Sequence, residues 1–430
     1  MRILITDEMS ISTAFSPFTR SFLYSFSFIP TVITARQLAA VTPPSHTISV
    51  FEGNKMIDFD AEYDVVHMNF KTALAPRAYE IADVFRKKGR TVILSGYHPT
   101  AVPDEAKQHA DSVIVGDAVT LWPSVVHDIE KGGLQPFYRS DSSCETLMLP
   151  STKQFTRHGY QFANAVEATR GCPQKCDFCQ DSNIRDGAAF RTRSIDDVID
   201  EIAFLRQKIF FFTDFSLTID LSYTKTLFRR MHGLGKKFVC GGNVDVLAED
   251  DELLRLSHEA GCIEWISGFE TFSQKALEES HKRTNIVEDY VLAVKKIHRY
   301  KMAVFGTFVL GFDEDSPDIF TTMQANIGKL GIDAVNFAIL TPYPGTPLFQ
   351  RLEHEGRILT YDWSKYNRKN VVFAPKNMSK EELEAGFLKI TRYFSSLSYL
   401  GFRTIRSLNL GIYPFVATFA GNLGQYMKTA

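Results

Sequence analysis

A chain of 430 residues, 44% hydrophobic and 23% charged, is long enough for two or three domains and ordinary in polarity. Its net charge of −2 supplies no basic face for phosphates, so a nucleic-acid partner is not expected. Six cysteines, three of them crowded into one short stretch, do not make a disulfide framework and point to a reducing compartment.

No basic stretch followed by an apolar one opens the chain at Met1 to Asp7, so no signal peptide is expected and the location reads as cytoplasmic. Residues 2–6 read as a short buried strand, 15–28 as a Phe- and Ser-rich stretch, and 30–41 as a helix. Strands are expected at 46–50, 65–69, 91–95 and 112–115, and helices at 77–88, 103–110 and 120–131. Short apolar runs alternating with helical patterns imply a parallel, doubly wound sheet. Five strands fit the flavodoxin-like (Rossmann-type) version, in which ligands bind beyond the carboxyl ends of the strands. Those ends carry Asp7, Asn69 to Thr72, Gly96 to Thr100, and Gly116-Asp117. This first domain spans 1–135, and a polar linker covers 136–161.

Strand–helix alternation then resumes over 162–350. Strands are expected at 164–168, 209–213, 238–243, 262–267, 303–310 and 334–339. The helices between them include one entered at Ser194 as N-cap, with Asp196, Asp197 and Asp200 favouring its positive start. Six such units make a partial version of the eight-fold TIM-like barrel, whose site belongs on the loops at the carboxyl ends of the strands. The region 351–430 is mainly helical, with an amphipathic helix at 379–395. From Ser407 to Met427 no residue is charged. The tract has the length of a membrane span but is broken by Asn409, Gly411, Pro414, Gly421, Asn422, Gly424 and Gln425. A packed terminal segment is expected there, with peripheral membrane contact as the alternative.

Straight after the first barrel strand comes Arg170-Gly-Cys-Pro-Gln-Lys-Cys-Asp-Phe-Cys-Gln180. Cys172, Cys176 and Cys179 can hold three corners of an iron–sulfur cluster and leave the fourth open for chemistry. A structural zinc site is the other reading, but zinc closes its tetrahedron with paired elements, and no second pair follows at finger-like distance. Cys240 and Cys262 lie in apolar strand runs and read as buried small hydrophobes, and Cys144 falls in the linker.

This cysteine spacing, with Phe178 before the last cysteine, resembles the signature of radical S-adenosylmethionine (radical SAM) enzymes. Further segments agree: Phe211-Phe-Thr-Asp214, Gly241-Gly-Asn-Val-Asp245, Gly268-Phe-Glu270, Gly306 to Asp313, and Leu340 to Pro347. Their order, with Gly96-Tyr-His-Pro-Thr100 and Val115-Gly-Asp117, is similar to the branch carrying an N-terminal cobalamin-binding domain. The resemblance implies a cobalamin-binding domain, then a (β/α)6 radical SAM barrel, then a helical C-terminal region. It implies that Cys172, Cys176 and Cys179 bind a 4Fe–4S cluster whose fourth iron chelates S-adenosylmethionine. One electron then cleaves the sulfonium, and the resulting radical removes hydrogen from an unactivated C–H bond. Glu270 is the expected acceptor for the cosubstrate's ribose or ammonium, and it could instead pair with a neighbouring Arg. Gly306 and Gly311 flank a strand end where adenine would approach, or are ordinary turn residues. Asp214 has a site role or caps a helix. His98 and Gly116 would contact cobalamin, or His98 is a turn histidine capped by Pro99. The lower-ligand motif Asp-x-His-x-x-Gly is absent at Asp7, where Met9 and Ser12 occupy its places, so cobalamin would bind without a protein imidazole.

Methylation of an apolar or amphipathic small molecule, a lipid or a tetrapyrrole, is the expected reaction, with flavodoxin or ferredoxin as electron donor. Radical ring formation on a tetrapyrrole is the alternative. A non-catalytic cobalamin-binding or sensory module is the alternative of another class.

Overall fold

The computed structural model describes residues 1–6, 33–51, 57–140, 163–184 and 189–429. Asp7, the 15–28 stretch, Cys144 and most of the 136–161 linker lie outside them.

Two parallel sheets organise the chain. The first is built from β1 (Arg2–Thr6), β2 (Thr47–Phe51), β3 (Val65–Asn69), β4 (Thr91–Ser95), β5 (Ser112–Val115) and β6 (Phe137–Arg139), in the order β2-β1-β3-β4-β5-β6. Side-chain alternation along these strands divides the apolar residues between two cores. Leu4, Val66, Met68, Val92, Leu94 and Val113 face the helix Ala75–Lys87. Ile3, Ile5, Val65, Ile93 and Ile114 face the helices Ile33–Val41 and Ala118–Glu130. Five of the strands were legible in the sequence. The sixth, β6, lies where a linker was expected: three residues pairing at a sheet edge leave too short a pattern to read.

The second sheet contains β7 (Ala163–Val166), β10 (Ile209–Phe212), β11 (Lys237–Gly241), β12 (Cys262–Glu270), β13 (Ala303–Leu310) and β14 (Ala334–Ile339). Its order is β14-β13-β12-β11-β10-β7, with every pair parallel. A separate antiparallel pair, β8 (Thr169–Arg170) with β9 (Arg191–Thr192), brackets the cysteine loop. The main core lies between the sheet and its outer helices, and Phe210, Phe212, Phe238, Cys240, Cys262 and Val304 belong to it. Cys240 and Cys262 are thus buried small hydrophobes, with their sulfurs 3.9 Å apart. The opposite face carries Ile209, Phe211, Val239 and Ile263, and against these packs Ala417 of the C-terminal helix Ile412–Thr429. Gln425 donates to the Asn336 side chain at 2.8 Å and Asn422 to the Asp333 carbonyl at 3.2 Å. The uncharged tract therefore packs on the sheet along one side of the helix Ile412–Thr429, and no helix among the described residues is long and apolar enough to cross a membrane.

Two local readings change. Ser194 precedes the helix Ile195–Phe204, but its hydroxyl makes no cap hydrogen bond; Asp196 and Asp197 in the first turn provide the favourable charge. The segment 241–250 contains an extra helix, Val244–Glu249, whose single turn is too short to show a period.

Candidate active site

The cysteine loop needs an unusual backbone at both ends of its first turn. Gly171 has φ +90°, and a Cβ there would collide with the Ala189 carbonyl oxygen, so only glycine fits. Lys175 follows at φ 53°. Asn183 then pins the loop from within, donating at 2.8 Å to the carbonyls of both Cys176 and Cys179. From outside, the Asp177 amide donates to the Ser280 carbonyl at 3.0 Å, and the Leu348 amide donates to the Asp177 carbonyl at 3.1 Å.

The three thiols share this loop but are not gathered around one point: no group of three or more His, Cys, Asp or Glu among the described residues could hold a single metal ion. A zinc site needs its sulfurs about 2.3 Å from one centre, whereas a cluster accepts each cysteine on a separate iron. Burial raises the Cys172 thiol, raises Cys176 to about 11, and, with the Asp181 carboxylate, pushes Cys179 up to about 12. As iron ligands the three would be held as thiolates, the form that bound iron favours. The donor set therefore fits an iron–sulfur cluster.

Across from the thiols, Glu270 ends β12 at φ 62°, a conformation that costs a non-glycine residue about 1–3 kcal/mol. The β12–β13 register shifts between Gly268 and Glu270, so a bulge re-aims this carboxylate. Gly268 leaves the space: a Cβ there would overlap the Glu270 Oε1. Asn285 donates to the carbonyls of Gly268 and Phe269 at 2.7 and 3.0 Å, and the Tyr290 hydroxyl donates to Thr271 at 3.1 Å, so the strained turn is braced. Glu270 pairs with Lys282 at 3.2 Å, both largely buried. Burial alone would pull the Lys282 ammonium down, but the Glu270 carboxylate holds it raised. Nothing in the sequence singled out Lys282. It lies on a polar turn, far along the chain from the cysteines.

Asp214 does not cap the helix that follows. It follows β10, buried, and accepts hydrogen bonds from the Ala168 amide at 3.2 Å, the Thr169 amide, and the Thr169 hydroxyl at 2.7 Å. It thus clamps the strand that leads into the cysteine loop, while Asp220 caps the next helix. Burial raises its carboxyl to about 7 against the lowering effect of the Thr169 hydrogen bond.

The glycines of β13 separate. Gly306 lies inside the strand rather than at its end, on the side where a Cβ would meet Ile332, Phe269 and Phe308, which is the helix-facing side. Gly311 has φ +102°, donates to Asp315 at 2.8 Å and packs on Leu383, as a turn glycine does.

The first sheet meets the cysteine loop at its carboxyl edge. Tyr97 donates to Asp181, and Gln180 donates to the Thr72 hydroxyl at 3.3 Å. Arg170 reaches Asp117 at 2.9 Å, Glu167 at 2.6 Å and Gln37 at 2.8 Å. Gly116, at φ +107°, donates its amide to Thr100 at 3.1 Å, joining two loops of that edge. His98 does not face the edge: it is fully buried, 3.1 Å from Glu105 and packed against Phe70, Tyr79 and Trp363. His67 is enclosed as well, and burial lowers its imidazole to about 3. Among the described residues, neither of these two imidazoles is presented to that edge.

Residues 166–324 match the family model of the radical SAM superfamily. The bacteriochlorophyllide d C-12(1)-methyltransferase of Chlorobaculum tepidum is 32% identical over 342 residues, covering 77% of this chain and 74% of that one. The bacteriochlorophyllide d C-8(2)-methyltransferase of the same organism is 29% identical, covering 78% and 79%. Among solved structures, the radical SAM methyltransferase TsrM from Kitasatospora setae, with cobalamin and a 4Fe–4S cluster bound, is similar with a TM-score of 0.69. That similarity covers 100% of this chain and 99% of that one at 12% identity, a likeness of fold.

Proposed function

We propose, given that this chain belongs to the radical SAM enzymes carrying a cobalamin-binding domain, that it methylates an unactivated carbon at the rim of a tetrapyrrole. The family membership makes it a C-methyltransferase that uses a 4Fe–4S cluster, S-adenosylmethionine and cobalamin. The observation that carries the substrate is the similarity, over three quarters of both chains, to two enzymes whose substrates are bacteriochlorophyllides.

When bound, the cluster supplies the electron that splits the cosubstrate's sulfonium, and cobalamin carries the methyl group. This chain's own residues do the rest. Cys172, Cys176 and Cys179 hold the cluster, and Lys282 sets a buried positive charge beside them. Glu270, fixed by its bulge and its pair with Lys282, presents a carboxylate to the cosubstrate's hydroxyls or ammonium. Asp214 and Asn183 hold the loop in place through its backbone. Residues 1–139, with β6 included, form the cobalamin domain and 162–350 the radical SAM barrel. The loops at 69–72, 96–100 and 116–117 turn the first domain's ligand edge toward the cluster loop. A cytoplasmic flavodoxin or ferredoxin is the electron donor in this reading.

The test is an anaerobic incubation of the reconstituted protein, a strong reductant, methyl-labelled S-adenosylmethionine and a bacteriochlorophyllide. Labelled product is the expected outcome. Turnover to an unlabelled, ring-altered product would replace methylation with cyclisation. Iron, sulfide and corrinoid analysis of the same sample should give about four irons per chain.

A further inference from the structure

The last elements of the chain, Leu397–Ser407, Leu408–Leu410 and Ile412–Thr429, have their polarity reversed. In the first helix the residues turned into the protein are Leu400, Arg403, Thr404 and Ser407. Leu397, Phe402 and Ile405 face outward with 71%, 64% and 67% of their surface exposed. Leu408, Ile412 and Phe419 continue the exposed apolar series at 49%, 62% and 51%. A helix facing water shows the opposite pattern, and scattered single apolar residues would need no explanation whereas a series does.

Polar anchors set this orientation. Arg403 donates to the Phe394 carbonyl at 2.8 Å, with its guanidinium 4.8 Å from the Tyr399 ring centre. Arg406 donates to the Ile332 carbonyl at 3.0 Å and meets Asp333 at 3.3 Å. Ser407 donates to the Thr404 carbonyl within the same helix, and Asn422 ties the next helix to the Asp333 carbonyl. Beside Leu400 and Ala417, which pack inward, polar residues hold these helices and leave the large apolar side chains Leu397, Phe402, Ile405, Leu408, Ile412 and Phe419 outside.

The charge of this region chooses the occupant. After Glu384 the chain contains no Asp or Glu, although the whole chain carries a net −2. On the preceding helix, Lys380–Phe394, exposed Leu388 and Tyr393 adjoin exposed Lys389 and Arg392 in sequence. An apolar surface with cationic neighbours and no carboxylates of its own complements an anionic bilayer. No described helix is long and apolar enough to cross it. We propose that the surface formed by Leu397, Phe402, Ile405, Leu408, Ile412 and Phe419 seats this protein on the interface of an anionic lipid bilayer, with the helices lying in the membrane plane.

Flotation of the cluster-loaded full-length chain with phosphatidylcholine vesicles, with and without phosphatidylglycerol, tests this. Association with the anionic vesicles is expected, weakening in high salt. The double variant Phe402→Ser, Ile405→Ser should partition at least about tenfold less, with unchanged circular dichroism and cluster absorbance. Failure to float with either vesicle, or equal flotation of the variant, overturns the proposal. So would a dimer in light scattering that the double variant splits, which would assign the surface to a second copy. None of these readouts depends on the substrate's identity.

Discussion

Glu270 combines an unfavourable backbone angle, a bulge, a neighbouring glycine that makes room for it, and a buried partner in Lys282. Strain kept in place by Asn285 and Tyr290 is the mark of a positioned functional group rather than of a surface ion pair. Replacing Lys282 by Met would leave Glu270 buried without its cation, a loss of about 3–5 kcal/mol when one partner of a buried pair is removed. We therefore expect Lys282→Met to lower both the melting temperature and cosubstrate affinity, the latter by at least about tenfold. Equilibrium binding of S-adenosylmethionine to the reconstituted variant checks this, and unchanged affinity would return the pair to a purely structural role. Each of Cys172→Ala, Cys176→Ala and Cys179→Ala should drop cosubstrate cleavage to below about a hundredth of wild type, together with iron content. Gly171→Ala should lose the cluster too, since the loop cannot turn past the Ala189 carbonyl.

Among the elements, β12 joins the site to the base of the sheet. Near its start, Glu264 is buried, and burial together with the Asp333 carboxylate raises its carboxyl from 4.5 to about 8. The folded protein thus holds a proton that the unfolded chain releases between those values. Stability from this group is full below about pH 4.5 and declines as pH rises through about 8. Glu264→Gln removes that slope. Thermal melts should show the variant several degrees more stable than wild type at about pH 9, and the two alike at about pH 5. Parallel curves across that range would mean Glu264 ionises freely. The same strands show what periodicity conveys. Val65–Asn69, Thr91–Ser95, Ala303–Leu310 and Ala334–Ile339 were readable to the residue because buried parallel strands are continuous apolar runs bounded by polar turns. The side of the sheet that Gly306 occupies was not readable, since a residue without a side chain adds nothing to an alternating pattern.

At the scale of the whole molecule, Arg170 ties the two sheets together just ahead of the first cysteine. Its guanidinium meets Asp117 at the edge of the first sheet and Glu167 at the end of the second. Arg170→Met would leave Glu167 enclosed without its cation and Asp117 with only Arg191, 3.6 Å away, about 3–5 kcal/mol of destabilisation by the same reasoning. Chemical denaturation should show the midpoint falling, and corrinoid content should fall more steeply than iron, because the three cysteine ligands remain in place. Equal corrinoid content in variant and wild type would remove Arg170 from the junction between the two domains.

The sequence by itself determined what local pattern can carry: the cysteine spacing, the strand–helix alternation of both domains, and Glu270 at a strand end. It could not assign Asp214, His98 or Gly311 between their ligand-facing and structural alternatives. Each assignment depends on a contact with a residue distant along the chain or on which way the local turn points: Ala168 and Thr169, Trp363, and Leu383. Lys282 and Arg170 emerged as partners of the site only from the fold, since a salt bridge between distant segments has no period and no motif. Buried charge must be compensated wherever the fold encloses it, and only the tertiary structure decides which residues are enclosed together.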